Sequence, residues 1–547
     1  MPALRVAVIG AGPSGLTAAK TCLESGLEPV VFEQSDAIGG LWHFDEKVSR
    51  DGQPSVMRST VINSSKELTA FSDFPAPPHF PNYMHHSMLL RYLKLYADHF
   101  GVTQRVRTRH AVRDVRPAKD HSRTGRWLVT VEDLSSSQVT RSAFDAVMVC
   151  VGHHAYPHRP SLPGMDQFRG RVQHTHAVKD CDSFRGRRLL VVGTGNSGMD
   201  VATEASLFAH KVYLSTRRGS WVLHRVAPNG LPMDTVIQRR YFVPLPMWLL
   251  NAMAERASQK LFNHDLNGLK PRHRLFQQHP TINDALANRI LSGTLVVKGD
   301  VAEVTENGVL FKGEQEDTKL DDIVLATGYE IRRVVPRQQR LDTGPACSPG
   351  NRLELFKYVF PARLTRPETL SFLGYIQPLG AINPIAEVQA RWVVQLLLGN
   401  VRLPSKVRLR DIAHTESLQR RRYVSSPRHT IQVDYMPYTR DIARRIGADP
   451  SLGRLFLRHP ALWWAALTGP QVPYLYRLQG PHPWPGAAEA ILRTKERVLK
   501  PLQTRKDFGD QRRPSREVDK LDYTVMLAVV VLVSVLMVPL LAHCVFM

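Results

Sequence analysis

Two short glycine-rich stretches have the composition and spacing to hold a phosphate ester. The first, GAGPSG, sets Gly10, Ala11, Gly12, Pro13, Ser14 and Gly15 between an apolar run at residues 5–9 and a helix-forming run at 16–25. The second, GTGNSG, sets Gly193, Gly195, Asn196, Ser197 and Gly198 after an apolar run at 187–192 and continues through Met199 and Asp200 into a helix reaching residue 209. Glycine at such a turn lets the backbone approach a pyrophosphate, and the helix N-terminus adds favourable partial charge. The strand after the first loop, residues 29–33, ends on Glu33, eighteen residues past Gly15. A carboxylate there accepts from ribose hydroxyls and repels a 2′-phosphate. The strand after the second loop, residues 211–219, carries Arg217 and Arg218 instead, and guanidinium groups pair bidentately with a 2′-phosphate. The two loops therefore predict two cofactors, FAD at the first and NADPH at the second.

The elements that must position these loops read as a doubly built α/β fold. Two more strands close on small residues, AFDAVMVCVGHH at 143–154 and LDDIVLATGYE at 320–330, and they bracket the second loop. That order predicts two Rossmann-like dinucleotide-binding domains, the NADPH domain inserted in the FAD domain. The expected division is 1–160 for the first part of the FAD domain, 161–330 for the NADPH domain with an insertion at about 225–290, and 331–445 for the second part of the FAD domain. Residues 446–510 are expected to form a membrane-associated C-terminal region, 511–522 a basic linker and 523–547 a transmembrane tail anchor. The aromatic and basic stretch at 239–262 suits either a core helix or a surface patch lying on a membrane.

Lys and Arg number 72 against 49 Asp and Glu, a formal net charge of +23. Nucleic acid or an anionic membrane would explain that balance. The cations are spread along the chain without a nucleic-acid-binding signature, so no nucleic acid is expected as partner. The membrane reading has its own support in residues 523–547, an apolar run free of Asp, Glu, Lys and Arg and long enough to cross a roughly 30 Å hydrocarbon core. Arg512, Arg513, Arg516 and Lys520 precede it and keep the rest of the chain on the cytosolic side. The five cysteines (Cys22, Cys150, Cys181, Cys347, Cys544) form no C-x-x-C pair, which removes a zinc site and a dithiol from consideration. A reduced flavin would then pass its electrons to molecular oxygen.

The stretch FRGRVQHTHAVKD at 168–180 resembles the signature F-x-G-x-x-x-H of the flavin-containing monooxygenases through Phe168, Gly170 and His174, with Val178 where an aromatic residue is usual. FEQSDAIGGLW, INSSKEL, FPNYMHHS, VCVGHH, LATGY and RLQGPHPWPGA resemble the animal microsomal members of that family. GLKPRHRLFQQHPTINDALANRILSG, STRRGSW, RHTIQVDY and GYIQPLGAI look nearest to its mammalian isoform-five branch. The resemblance implies an NADPH- and oxygen-dependent monooxygenase of the endoplasmic reticulum membrane, acting on lipophilic small molecules. Oxygen added at flavin C4a would be inserted into ketones or aldehydes in Baeyer–Villiger fashion, or into sulfur and nitrogen.

It also implies site residues. Asn63 in INSSKEL and Asn196 in GTGNSG match asparagines that the family sets beside flavin and nicotinamide, and an amide donates and accepts without titrating. Leu41, Trp42, Ile62, Ser64 and Gln377 match positions along the flavin. His174 lies in the linker before the second loop, where joining domains is the expected role. Two other readings stay open: an NADPH oxidase releasing hydrogen peroxide, and a non-catalytic membrane scaffold, against which the intact glycines and Glu33 count. The sequence is compatible with a homo-oligomer and names no substrate.

Overall fold

The computed structural model describes residues 3–332, 351, 353–361, 363–404, 408–426 and 429–504. The expected linker, the expected tail anchor, Cys347 and Cys544 lie outside the described residues. Among the described residues no helix is long and apolar enough to cross a membrane.

Strand Arg5–Ile9 is buried from Val6 onward because it is the centre of a five-stranded parallel sheet. Glu28–Phe32 pairs with it on one side and Ala146–Val149 on the other, and Val106–Arg107 and Leu370–Phe372 form the edges. A strand covered on both faces reads as a continuous apolar run, as Arg5–Ile9 does. The second sheet repeats the plan. Arg188–Val192 is central, Lys211–Ser215 and Asp322–Leu325 flank it, and Leu295–Lys298 and Arg171–His174 close the edges, all parallel.

The likeness extends to the connections. In each unit the central strand turns through a glycine loop into a helix, Pro13–Glu24 or Asn196–Ala205, and a three-stranded antiparallel meander precedes the other flanking strand. The meanders are His110–Pro117, Trp127–Asp133 and Gln138–Phe144 in the first unit and Val301–Val304, Gly308–Phe311 and Thr318–Lys319 in the second. Every strand of the second sheet falls in sequence between Ala146–Val149 and Leu370–Phe372 of the first.

Helix Asn383–Leu397 is buried almost all round. It lies against helix Pro13–Glu24 and beneath the C-terminal stretch that contains Pro473–Arg477. Such a helix has no solvated face for its charges, so Glu387 and Arg391 must find partners inside. The stretch at 239–262 divides: Arg239, Arg240, Tyr241, Leu245 and Phe262 are buried, whereas helix Met247–Leu261 lies at the surface, burying only Asn251 and Ser258 and leaving Trp248 64% exposed.

Candidate functional site

Both glycine loops make one close crossing over a neighbouring strand end. Gly10 has φ +101°, and a Cβ there would stand 2.8 Å from the Cys150 carbonyl oxygen; Gly193 has φ +113°, and its Cβ would stand 2.6 Å from that of Ala326. A side chain at Gly15 or Gly198 would run into the carbonyl of Gly10 or Gly193. Only glycine fits these four positions, for two reasons: the left-handed backbone at the first of each pair and the backbone contact at the second.

The first loop is also held from outside. The Ala11 N–H donates to Glu33 Oε2 at 2.7 Å, and Ser35 donates through its N–H and hydroxyl to Glu33 Oε1 at 2.9 and 2.8 Å. Oε1 thus already accepts two bonds, whereas Oε2 accepts one and keeps a lone pair for a hydroxyl. The Gly39 N–H donates to the Ala11 carbonyl at 2.9 Å, and Gly40 packs on Gly12. The turn riding on the loop ends in Gly40–Trp42, which delivers Leu41 and Trp42 to a cavity.

That cavity, about 280 Å³, opens between the two units. Its wall brings together Leu41, Trp42, Ile62, Asn63 and Gln377 from the first unit and Gly195, Asn196, Ser197, Gly198 and Asp200 from the second. The other expected residues stand off the wall. Gly10 to Gly15 and Glu33 sit at the first loop, Gly193 under the second, and Ser64 bonds Thr69 at 2.8 Å. Met199 is fully buried in the second unit's core, and Arg217 is exposed beyond strand Lys211–Ser215.

The two asparagines face the cavity in one defined sense. Arg225 Nη2 donates to Asn63 Oδ1 at 2.7 Å, and the Ile282 N–H donates to Asn196 Oδ1 at 2.8 Å. Both partners can only donate, so each amide turns its oxygen to the protein and keeps its NH₂ for the cavity. Strand Thr281–Ile282 braces the second loop further: Thr281 Oγ1 donates to the Thr194 carbonyl at 2.6 Å, and Asn283 Nδ2 reaches Asp200 Oδ1 at 3.3 Å. Burial pushes the Asp200 carboxyl up to about 6, against the opposing pull of Arg225.

Sequence reasoning did not single out Arg225, Thr281, Ile282 or Asn283, nor the cavity residues His153 and His154. The signal was present in HPTIND and VCVGHH, stretches legible as motifs but without roles. His154 is open to the cavity yet deep within the molecule, and desolvation lowers its imidazole to about 4; His153 is pulled down by burial and by its neighbour His154.

His174 joins two elements of the second unit. The His176 N–H donates to His174 Nδ1 at 3.0 Å, which leaves the proton on Nε2, and that nitrogen donates to the Gly328 carbonyl at 3.1 Å. Protonation at Nδ1 would break the first bond, and burial, followed by the nearby Arg159 charge, lowers the imidazole to about 4. A folded-state value below the unfolded one means stability present near pH 7.5 and lost as pH falls from 6.5 through 4. The share of unfolding free energy that depends on His174 is expected to drop by about 2 kcal/mol between pH 7.5 and 5. Urea titrations of the parent and His174→Asn at both pH values measure it: the parent should lose that much more than the variant.

Over residues 3–540 the chain matches the model of the FMO-like family, flavin-binding monooxygenase-like proteins. It belongs to that family. The chain is therefore a flavin monooxygenase, and the flavin-containing monooxygenase 5 of Cavia porcellus is 44% identical to it over 508 residues, 92% of this chain and 93% of that one. Among solved structures, S-allyl-L-cysteine S-oxygenase from Allium sativum superposes with a TM-score of 0.62 at 20% identity, covering 90% of this chain and 98% of that one. Cyclohexanone monooxygenase from Rhodococcus sp. Phi1 bound to NADP+ gives a TM-score of 0.59 at 17% identity, covering 81% and 97%. These two likenesses establish the α/β flavoprotein monooxygenase architecture with its Rossmann-like units.

The residues present suit a flavin. A Cβ at Gly10 or Gly15 would fill the turn where the backbone must approach a phosphate, and Glu33 Oε2 keeps one acceptor for a ribose hydroxyl.

Proposed function

We propose that this monooxygenase uses FAD at the first loop and NADPH at the second, and that it inserts one atom of molecular oxygen into lipophilic small molecules. The observation that carries the reading is the paired orientation of Asn63 and Asn196, whose amide NH₂ groups share one cavity with Trp42 and Gln377. When bound, flavin accepts hydride from NADPH and delivers one oxygen atom of O₂ to the substrate, releasing the other as water. The chain's residues do the rest. Gly10 to Gly15 and Glu33 hold the dinucleotide of FAD, and Gly193 to Gly198 hold that of NADPH.

Arg217 is exposed, with no protein partner among the described residues, and so is available to a 2′-phosphate. Asn63, with its NH₂ toward the cavity, would donate to the oxygen transferred there, and Asn196 would hold the nicotinamide. Leu41, Trp42 and Ile62 exclude water, which strengthens both hydrogen bonds. Neutral His154, open to the cavity, adds a donor without adding charge.

The substrate class divides between carbonyl compounds, oxidised to esters, and thioethers or amines, oxygenated at the heteroatom. The likeness to an isoform-five relative favours the first, in keeping with the Baeyer–Villiger expectation. Purified protein with NADPH, air and either an aliphatic ketone or a thioether tests the reading. The expected result is a yellow protein that forms oxygenated product with most of the NADPH consumed. Ester would assign the carbonyl branch and sulfoxide the heteroatom branch. Peroxide release matching NADPH consumption with every substrate would overturn the monooxygenase cycle in favour of an oxidase.

The same reading includes a membrane of the endoplasmic reticulum as partner. Supporting it, Trp248, Phe456 and Leu457 are 64%, 54% and 81% exposed, and Arg454 and Arg458 lie beside the latter two on the helix Leu452–Arg458. Large apolar side chains beside cations suit an interface with anionic lipid.

A further inference from the structure

Asn63 has one amide oxygen to place and, among the described residues, a single side chain placing it. Arg225 Nη2 reaches Asn63 Oδ1 at 2.7 Å and the Val61 carbonyl at 3.5 Å. A guanidinium on a loop would swing over several ångströms unless its other nitrogens were fixed. Here Arg225 Nη1 donates to Asp284 Oδ2 at 2.8 Å, and the Arg225 backbone N–H donates to Asp284 Oδ1 at 2.8 Å. Both carboxylate oxygens thus grip one residue, at its backbone and at its tip. The Arg225 carbonyl accepts from Tyr83 Oη at 2.5 Å and from the Met233 N–H at 2.7 Å, so the main chain is pinned as well.

Asp284 follows directly on the Thr281–Asn283 segment that braces the second loop and orients Asn196. One short segment therefore sets both asparagines: Asn196 through its own backbone, and Asn63 through Asp284 and Arg225. The guanidinium also lies among carboxylates, its charge acting on Asp200. The cavity wall includes Asn63 but neither Arg225 nor Asp284.

We propose that Asp284, acting through Arg225, is a positioning residue that aims the Asn63 amide into the cavity and keeps it in register with Asn196. The inference rests on the monooxygenase reading, in which Asn63 donates to the oxygen in transit. Asp284 touches no substrate. Its carboxylate fixes Arg225, Arg225 fixes Asn63 Oδ1, and the NH₂ group follows because the amide is planar.

The test uses the full-length holoenzyme, NADPH and a thioether. Asp284→Asn retains an oxygen for the Arg225 backbone N–H and removes the charge that holds the side chain. It is expected to lower oxygenated product per NADPH consumed by about tenfold or more, the rest appearing as hydrogen peroxide, with the thioether KM within about twofold of the parent value. A readout independent of turnover is the absorption spectrum of the oxidised, NADP+-bound holoenzyme, which Asp284→Asn should shift in the same sense as Asn63→Ala, with flavin content unchanged.

In an Asn63→Ala background, Asp284→Asn should change neither product yield nor spectrum, since no amide remains to be aimed. A lowered melting temperature with product yield and spectrum as in the parent would reduce Asp284 to a structural residue and overturn the proposal. So would an equal loss in the Asn63→Ala background. If Asn63→Ala itself leaves product yield intact, the role of Asn63 is at fault, and the proposal falls with it, a result distinguishable from the other two.

Discussion

Replacing Arg477 with Met is expected to lower the melting temperature of the holoenzyme by about 5 °C, through a loss of about 3–5 kcal/mol. Arg477 is 1% exposed and meets three carboxylates: Asp73 at 2.8 Å, Glu387 at 3.1 Å and Glu24 at 3.2 Å. It also donates to Ser72 Oγ and to the His482 carbonyl, both at 2.8 Å. Lys20 pairs with Glu24 and Asp73, and Arg391, whose guanidinium burial lowers to about 10, donates to the Tyr476 and Pro481 carbonyls at 2.8 Å.

Three acids thus face three cations at a largely buried site, with Glu24, 16% exposed, at its edge. Met fills most of the volume but leaves the acids one cation short. The resulting uncompensated charge in the interior costs several kcal/mol, a large part of the roughly 5–15 kcal/mol that holds a typical domain together. Differential scanning fluorimetry of Arg477→Met, and of the pair Arg477→Met with Glu387→Gln, separates charge from packing. The double variant should recover part of the loss because it restores the balance. A single variant melting within 2 °C of the parent would show that the network contributes no net stability.

The second large effect is expected from Asn63→Asp. The exchange keeps an oxygen for Arg225, at 2.7 Å in the parent, and even adds an ion pair, so the fold and the position of the side chain should survive. What it removes is the NH₂ group that faces the cavity, replacing a donor with an anion. Loss of one preorganised donor in a water-excluded site typically costs about 10²–10³ in rate. Product formation from a thioether should fall by about that factor, with NADPH-dependent peroxide release persisting. The measurement is product and peroxide per NADPH at saturating substrate. Unchanged product yield would remove Asn63 from the reaction and leave it a turn residue.

The repeated strand, glycine loop and helix were legible because they are local. The conflict that forces glycine at Gly15 or Gly198 is with a carbonyl five residues back in the same loop, and a fully buried strand writes itself as an uninterrupted apolar run. Glu33 was legible for the same reason: it ends the strand next to the loop it holds. Boundaries were less so. The helix after the first loop starts at Pro13 rather than Leu16, because proline suits the first turn, where an N–H has no partner anyway.

Arg225 and Asp284 stayed silent because nothing in their spacing reveals that a segment 59 residues long closes on itself. The stretch at 239–262 was ambiguous for a different reason. Its composition suits burial and membrane contact equally, and only the packing around it decides; it leaves Trp248 exposed.

The sequence by itself determined the two dinucleotide-type units, their order, the glycines and acid of the first loop, the arginines after the second, and the family to which the chain belongs. All of these are set by contacts within a few residues or by the pattern of one strand. The tertiary structure alone decided which residues share a cavity, which way the two asparagine amides turn, and how the C-terminal stretch locks onto the first unit through Arg477. Those depend on a donor or a charge arriving from 86 to 453 residues away. Such an encounter is fixed by how sheets, helices and insertions pack, and no local periodicity encodes it.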